Sequence, residues 1–245
     1  MLKNNPILPV ILLYLLIAAT DANGTEKYIC ATTHYPPYST FDNSKKVFTG
    51  SDINIIQSLS KSLKIDIEIV NLPWARLKTE IPKNNYDCFF SLGKFPHREE
   101  YLDYTSIPTH VTKIAIFAPK GDKDMNLDLS NKIVGVHRGI NFHLDIPSLH
   151  KLDKATIHKF PTNDILFEML VAERVDAIVM SQTVAEYLLQ TQHPNFRVNV
   201  HHIKSYELPV YLAFRKGTIN INKVNKELNK IKSASNGGVQ YSVSA

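Results

Sequence analysis

The chain places a single arginine, Arg98, in a polar stretch, "SLGKFPHREEYLDYTSIP" (residues 91–108), directly after an apolar run. A guanidinium is always charged and grips a carboxylate through two parallel hydrogen bonds at fixed geometry, which a lysine cannot do. By residue type alone the simpler reading is a surface pair with Glu99, Glu100 or Asp103, and such pairs contribute only about 0–1 kcal/mol. Three aromatics sit in comparable loop contexts: Tyr35 and Tyr38 in "YPPYS", and Trp74 in "PWARL". Their flat faces suit the apolar or cationic part of a small molecule, and a place in the core is the alternative. "HRGIN" brings Gly139 and Asn141 into a turn whose following amides favour an anion, unless Gly139 simply serves the turn.

Other chemistry is weakly represented. The ten histidines include only one adjacent pair, His201 and His202, and no pair at helical spacing with an acid, so no metal site is expected. No G-x-S-x-G elbow, phosphate-binding glycine loop or catalytic cysteine signature occurs, so neither a catalytic centre nor a cofactor is expected.

The elements that must position these residues alternate. "KYICATT" reads as a strand and "YPPYSTFDNSKKVFTG" as a loop without regular pairing, because of its prolines and turn residues. "SDINIIQSLSKSL" sets Ile53, Ile56, Leu59 and Leu63 at helical spacing, with Ser51 or Asp52 as the N-cap. "IDIEIV" alternates as a strand, "PWARLKTEI" is a short helix opened by Pro73, and "YDCFFSL" is a buried strand. A second set follows: "KIAIFAP" and "KIVGVHRG" as strands, "NDILFEMLVAE" as a helix, "VDAIVMS" as a buried strand. "NNYDCFFSL" and "ERVDAIVMS" echo each other. This order implies an α/β fold of two similar lobes, each a mainly parallel sheet flanked by helices. "ELPVYLAFRKG" and "INKVNKELNKIKS" then return as a strand and a helix to the first lobe. The expected boundaries are residues 23–110 with 204–245 for lobe 1, and 111–203 for the inserted lobe 2. Sites in such sheets lie outside the carboxyl ends of the strands and favour domain interfaces, so the expected site is the cleft between the lobes.

The N-terminus sets the compartment. Lys3 precedes an apolar run of 13 residues, "ILPVILLYLLIAA", followed by small and polar residues. That is a signal peptide pattern over residues 1–22, too short for a spanning helix of roughly 20. No cysteine stands just behind the run, so no lipid anchor is expected. The formal charge is +5, and removing residues 1–22 takes away Lys3 and Asp21 together, leaving +5. With scattered lysines and no basic stripe, nucleic acid is excluded as a partner. Cys30 and Cys88 are the two cysteines. In apolar strands such cysteines are read first as small buried hydrophobes, with a disulfide, permitted in an exported protein, as the alternative.

In order and spacing, "YPPYS", "GSDINI", "PWARL", "YDCFFSL" running into "HREEYLDYTSIP", "GVHRGIN" and "VDAIVMS" resemble the family 3 extracellular solute-binding proteins. These have the periplasmic binding protein type II fold and serve polar amino acid ABC transporters. The resemblance spans nearly the whole mature chain. It implies a periplasmic monomer that closes by hinge motion on a small polar solute bearing a carboxylate, an amino acid or a derivative. The partner is an inner-membrane ABC permease, or alternatively a membrane sensor. It further implies that Arg98 holds the carboxylate, with Ser91 and the backbone of Gly93 at the strand end beside it. Where relatives carry an aspartate for the α-ammonium this chain has Ser181, and where some are acidic it has Thr32. The carboxylate end of an amino acid is therefore better served than its amine end, with Glu207 or Asp145 as candidate substitutes. The rival reading on the same fold is a cyclohexadienyl dehydratase, which needs a cleft carboxylic acid to protonate the leaving hydroxyl, a role to which the sequence assigns no residue.

Overall fold

The computed structural model describes residues 25–121, 128–140 and 152–236. The expected signal peptide, Asn141 and Asp145 lie outside the described residues. The strands are β1 Lys27–Thr32, β2 Thr40–Asp42, β3 Val47–Thr49, β4 Asp66–Asn71, β5 Cys88–Gly93, β6 Leu102–Tyr104, β7 His110–Pro119, β8 Ile133–His137, β9 Thr156–Phe160, β10 Ala177–Ser181 and β11 Val198–Arg215. The helices are α1 Ser51–Leu63, α2 Trp74–Glu80, α3 Pro96–Glu99, α4 Asn163–Val171, α5 Gln182–Thr191 and α6 Ile221–Asn236.

One curled sheet runs β4-β1-β5-β11-β7-β10-β8-β9, with β6 beside β11. At one end β4, β1 and β5 are parallel, and at the other β10, β8 and β9 are parallel. Between them β11 and β7 form an antiparallel pair, each also antiparallel to its outer neighbour. Helices cover both faces, so the strands are apolar on both. In β5, Phe90 packs with the α1 and α6 residues Ile53, Ile56, Val224 and Leu228, while neighbouring Phe89 packs on the opposite face with Leu77 and Ile81. In β7, Ile116 joins the core of Val134, Val136 and Val179, and Phe117 that of Leu166, Leu170 and Leu188.

The spacing expected for the first helix is observed: Ile53, Ile56, Leu59 and Leu63 are its buried face. Its cap is not the one expected. Gly50, at φ 127°, occupies the N-cap, and Asp52 turns inward. A Cβ at Gly50 would collide with the backbone oxygens of Pro37 and Tyr38, so both the dihedral and the space require glycine.

Three further expectations are corrected. The loop after β1 contains a regular antiparallel pair, β2 with β3, in which Phe41 faces Phe48 at 4.7 Å. The final strand begins at Val198 rather than near Glu207, because the unpatterned stretch before it pairs with the open edge of β7 despite a register shift between His202 and Glu207. Cys30 and Cys88 are register partners on β1 and β5 and form a disulfide, with Cα atoms 4.4 Å apart. Two apolar strand cysteines look like core residues until the register puts them opposite each other.

Candidate functional site

Arg98 is the second residue from the end of α3, a single turn opened by Pro96, whose fixed φ suits a first helical position. It is 1% exposed. Its Nη1 donates to the Gly93 carbonyl at 2.8 Å, and the guanidinium carbon lies 4.7 Å from the Phe95 ring centre and 5.4 Å from that of Trp74. Two aromatic faces and a carbonyl thus orient a charge that burial alone would penalise. Tyr104 stands close by, its hydroxyl donating to the same carbonyl at 3.3 Å, and burial raises its pKa against the opposing Arg98 charge.

Arg98 opens onto a cleft. One wall carries His34, Tyr35, Trp74, Ser91, Gly93 and Phe95, and the other carries Ile114, His137, Ile140, Asn163, Val179, Met180 and Ser181, with Leu208 and Val210 between them. Among the described residues the lining contains one arginine, two histidines and no carboxylate.

Ser91 sits at φ 55°, where β5 carries an extra residue against β11 between Phe89 and Leu92. Such a bulge re-aims a side chain, and here the Ser91 hydroxyl donates to Asp52 Oδ2 at 2.7 Å. Asp52 Oδ1 meets His110 Nδ1 at 3.0 Å, and Tyr38 stacks on the His110 ring at 3.5 Å. Tyr38 therefore packs behind the cleft wall rather than lining it, because the stacked His110 occupies its face. The Asp52 and His110 pair was not singled out from the sequence. Its signal was an aspartate on the apolar face of α1, which reads locally as a cap.

Across the cleft Ser181 ends β10 and caps α5, its Oγ accepting from the Val184 N–H at 3.4 Å, and it shares a short hydrogen bond with Thr112. The Tyr35 hydroxyl reaches the same two residues. Burial pushes Tyr35 up to about 12, hydrogen bonds with Ser181 and Thr112 opposing it. Burial also raises Tyr38, opposed by bonds to Thr183 and Thr112. Both phenols keep their protons at neutral pH, and Tyr35 bridges the walls as a neutral group. Two further contacts cross the cleft: His34 Nε2 to Asp164 Oδ2 at 3.5 Å, and Lys78 Nζ donating to the Gly139 carbonyl at 2.6 Å. His34 Nδ1 accepts from the Phe41 N–H at 2.9 Å, so Nε2 carries the proton facing Asp164.

Gly139, at φ 95°, approaches Trp74 and Ala75 so closely that an added Cβ would lie 3.1 Å from each. Thr32 is buried away from the cleft, donating to the Phe90 carbonyl at 3.2 Å. Glu207 is exposed and pairs with Lys113 at 3.5 Å, outside the lining. His34, His137, Phe95 and Met180 line the cleft without having been anticipated, since none lies in a pattern that separates a wall from a loop or core residue.

A buried arginine lining a cleft whose two walls are bridged by side-chain contacts is an arrangement able to enclose a small solute. The profile of the bacterial extracellular solute-binding proteins, family 3, matches residues 28–236, and the chain belongs to this family. It is 23% identical over 219 residues to the arginine-binding extracellular protein ArtP of Bacillus subtilis (strain 168), covering 86% of this chain and 82% of that one. An ancestral arginine-binding protein bound to arginine superposes with a TM-score of 0.74 at 24% identity, covering 85% of this chain and 93% of that one. The ancestral amino acid-binding protein AncCDT-1, a precursor of cyclohexadienyl dehydratase, gives 0.71 at 25%, covering 85% and 90%. The fold is the type II periplasmic binding fold.

Proposed function

We propose that this chain captures a small carboxylate-bearing solute, an amino acid or a derivative of one, and presents it to a membrane ABC transporter. The observation that carries this reading is Arg98, buried to 1% yet lining the cleft, with its plane set by Trp74 and Phe95. A preorganised guanidinium fork is the group that holds a carboxylate most strongly for its size. Residues 1–22 act as a signal peptide, and the mature protein works outside the cytoplasmic membrane. Among the described residues no helix is long and apolar enough to cross it. Residues 23–110 with 204–245 form one lobe and 111–203 the other, β7 and β11 being the strands through which the lobes move. Closure traps the ligand, and a ligand shifts the balance only by its differential affinity for the closed form.

The likeness to AncCDT-1 raises the second reading, a dehydratase. A leaving hydroxyl needs a proton from a cleft acid, and none of the described lining residues is Asp or Glu, which favours capture without chemistry. Assays for turnover of prephenate and arogenate decide between the two, and no product is expected. The capture reading is tested by melting the mature protein with a panel of amino acids and organic acids, beside an Arg98→Ala variant. A ligand at 100 times its Kd adds about 2.7 kcal/mol. A compound that shifts the wild type is expected to lose roughly 30-fold or more in affinity in the variant, and an equal shift in both refutes the role of Arg98.

A further inference from the structure

We propose that the outer face of the packed helices α1 and α6 is a docking surface for an anionic lipid bilayer, held there by five lysines. The proposal does not depend on what the cleft binds.

Formal charge is unevenly placed along the chain. Residues 204–245 hold seven of the 28 lysines and arginines and only two of the 23 acids, a surplus of five that equals the net charge of the whole sequence. The fold then gathers cations from two distant segments. Val224 and Leu228 of α6 share a core with Ile56 and Leu59 of α1, and the Ser62 hydroxyl of α1 donates to Glu227 of α6 at 2.7 Å, so the two helices lie side by side. Facing away from that core, α6 carries Lys223, Lys226 and Lys230 at i, i+3 and i+7, the last turn of α1 carries Lys61, and Lys64 caps that helix. All five are exposed, and the exposed positions between them, Asn54, Gln57, Asn222 and Asn229, are uncharged. Glu227, the single acid of α6, is 17% exposed, with one oxygen taken by Ser62 and the other by Lys230 at 2.7 Å. Residues 237–245 add no aspartate or glutamate.

This placement works against the helix that carries it. Lys223 stands in the first turn of α6, which has no acid, at the positive end of the helix dipole. Lys226 has a like-charged neighbour one turn away on either side, and such pairs are destabilising. An anionic surface laid against the face relieves both. The opposite half of the sheet has no such face: α4 and α5 hold Asp164, Glu168 and Glu186 and no lysine or arginine.

The chemistry of the face favours lipid over protein. Protein interfaces draw on aromatic, Met and Arg anchors and are poor in lysine. Here every cation is a lysine, and none of the exposed large hydrophobic residues, Val47, Val111, Ile165 and Val200, belongs to α1 or α6. A bilayer of anionic headgroups asks only for positive charge near its surface.

The test is sedimentation of the mature chain with vesicles of phosphatidylcholine and phosphatidylglycerol in roughly equal parts, beside vesicles of phosphatidylcholine alone. Binding is expected to the mixed vesicles only, and to be lost between about 0.1 M and 1 M salt, where the screening length falls from about 10 to 3 Å. Each lysine near such a surface counts for about fivefold. The triple variant Lys223→Gln, Lys226→Gln, Lys230→Gln is therefore expected to bind about tenfold or more weakly, and Lys61→Gln, on the other helix, roughly threefold more weakly. A control that removes the same charge elsewhere, Lys27→Gln, Lys113→Gln, Lys132→Gln, takes lysines already paired with Glu68, Glu207 and Asp176 and is expected to bind as the wild type does. The proposal is overturned if a cooperatively melting wild type ignores the mixed vesicles, if binding survives high salt, or if the two triple variants lose affinity equally. Binding to native membranes that protease treatment abolishes, with pure lipid ignored, also overturns it and points to an acidic protein instead.

Discussion

The two halves of the sheet begin alike and end differently. Asp87, just before β5, accepts from the Ile29 N–H of neighbouring β1 at 2.8 Å and returns its own N–H to the Ile29 carbonyl at 2.9 Å. Asp176, just before β10, makes the same pair of bonds with Ile133 at the start of β8, both at 2.8 Å. The strand starts, far from the cleft, thus share one device for fastening a parallel neighbour. At the strand ends the likeness stops. β5 bulges at Ser91, whose hydroxyl goes inward to buried Asp52, and the chain then loops to Arg98. β10 runs straight into α5, with Ser181 as its cap. A repeated scaffold keeps its register at one end and diverges at the end that lines the cleft, as expected where sites lie beyond the carboxyl ends of strands.

The comparison breaks most visibly at Asp52. Asp52→Ala removes the acceptor of both Ser91 and His110 inside the core and is expected to cost about 3–5 kcal/mol in urea unfolding, the penalty for splitting a buried pair. A cost near zero would mean that the strand-end bulge needs no inner support. Next come the shared aspartates. Asp87→Ala, at a half-buried site, is expected to cost about 1.5–3 kcal/mol, and Asp176→Ala, exposed, about 0.5–1.5 kcal/mol. Equal costs would show that exposure does not separate the two ends of the sheet. Ser181→Ala should cost about 1 kcal/mol as a lost cap and destabilise less than Asp52→Ala. The smallest effect concerns pH. Burial raises the Asp176 carboxyl, but the Ile133 N–H and the Lys132 ammonium outweigh it and leave the pKa below its usual 3.8. Its contribution is therefore complete above the unfolded value and is lost as pH falls through the lower folded one. The gap between wild type and Asp176→Asn in urea midpoint should shrink from pH 7 to pH 3.

Much of this molecule was legible because periodicity is a local property. The buried stripe of α1 follows from four residues at helical spacing, and the echo of "NNYDCFFSL" in "ERVDAIVMS" marks two aspartates that prove to make identical bonds. Arg98 could be named because its loop sits in a run of motifs shared across a family, although its burial contradicts what an arginine beside three acids suggests in isolation.

What the sequence by itself determined was the alternation of elements and the faces they bury, both of which depend on neighbours within a few positions. Only the tertiary structure decided which distant residues meet. Parallel register set Cys30 opposite Cys88 across 58 positions, and the packing of α1 against β5 turned Asp52 from a cap into the partner of Ser91 and His110. It also drew Tyr38 onto His110 and out of the cleft, and paired the unpatterned start of β11 with β7. Each outcome depends on strand register and on side chains competing for the same space, and neither is written in the spacing of any one segment.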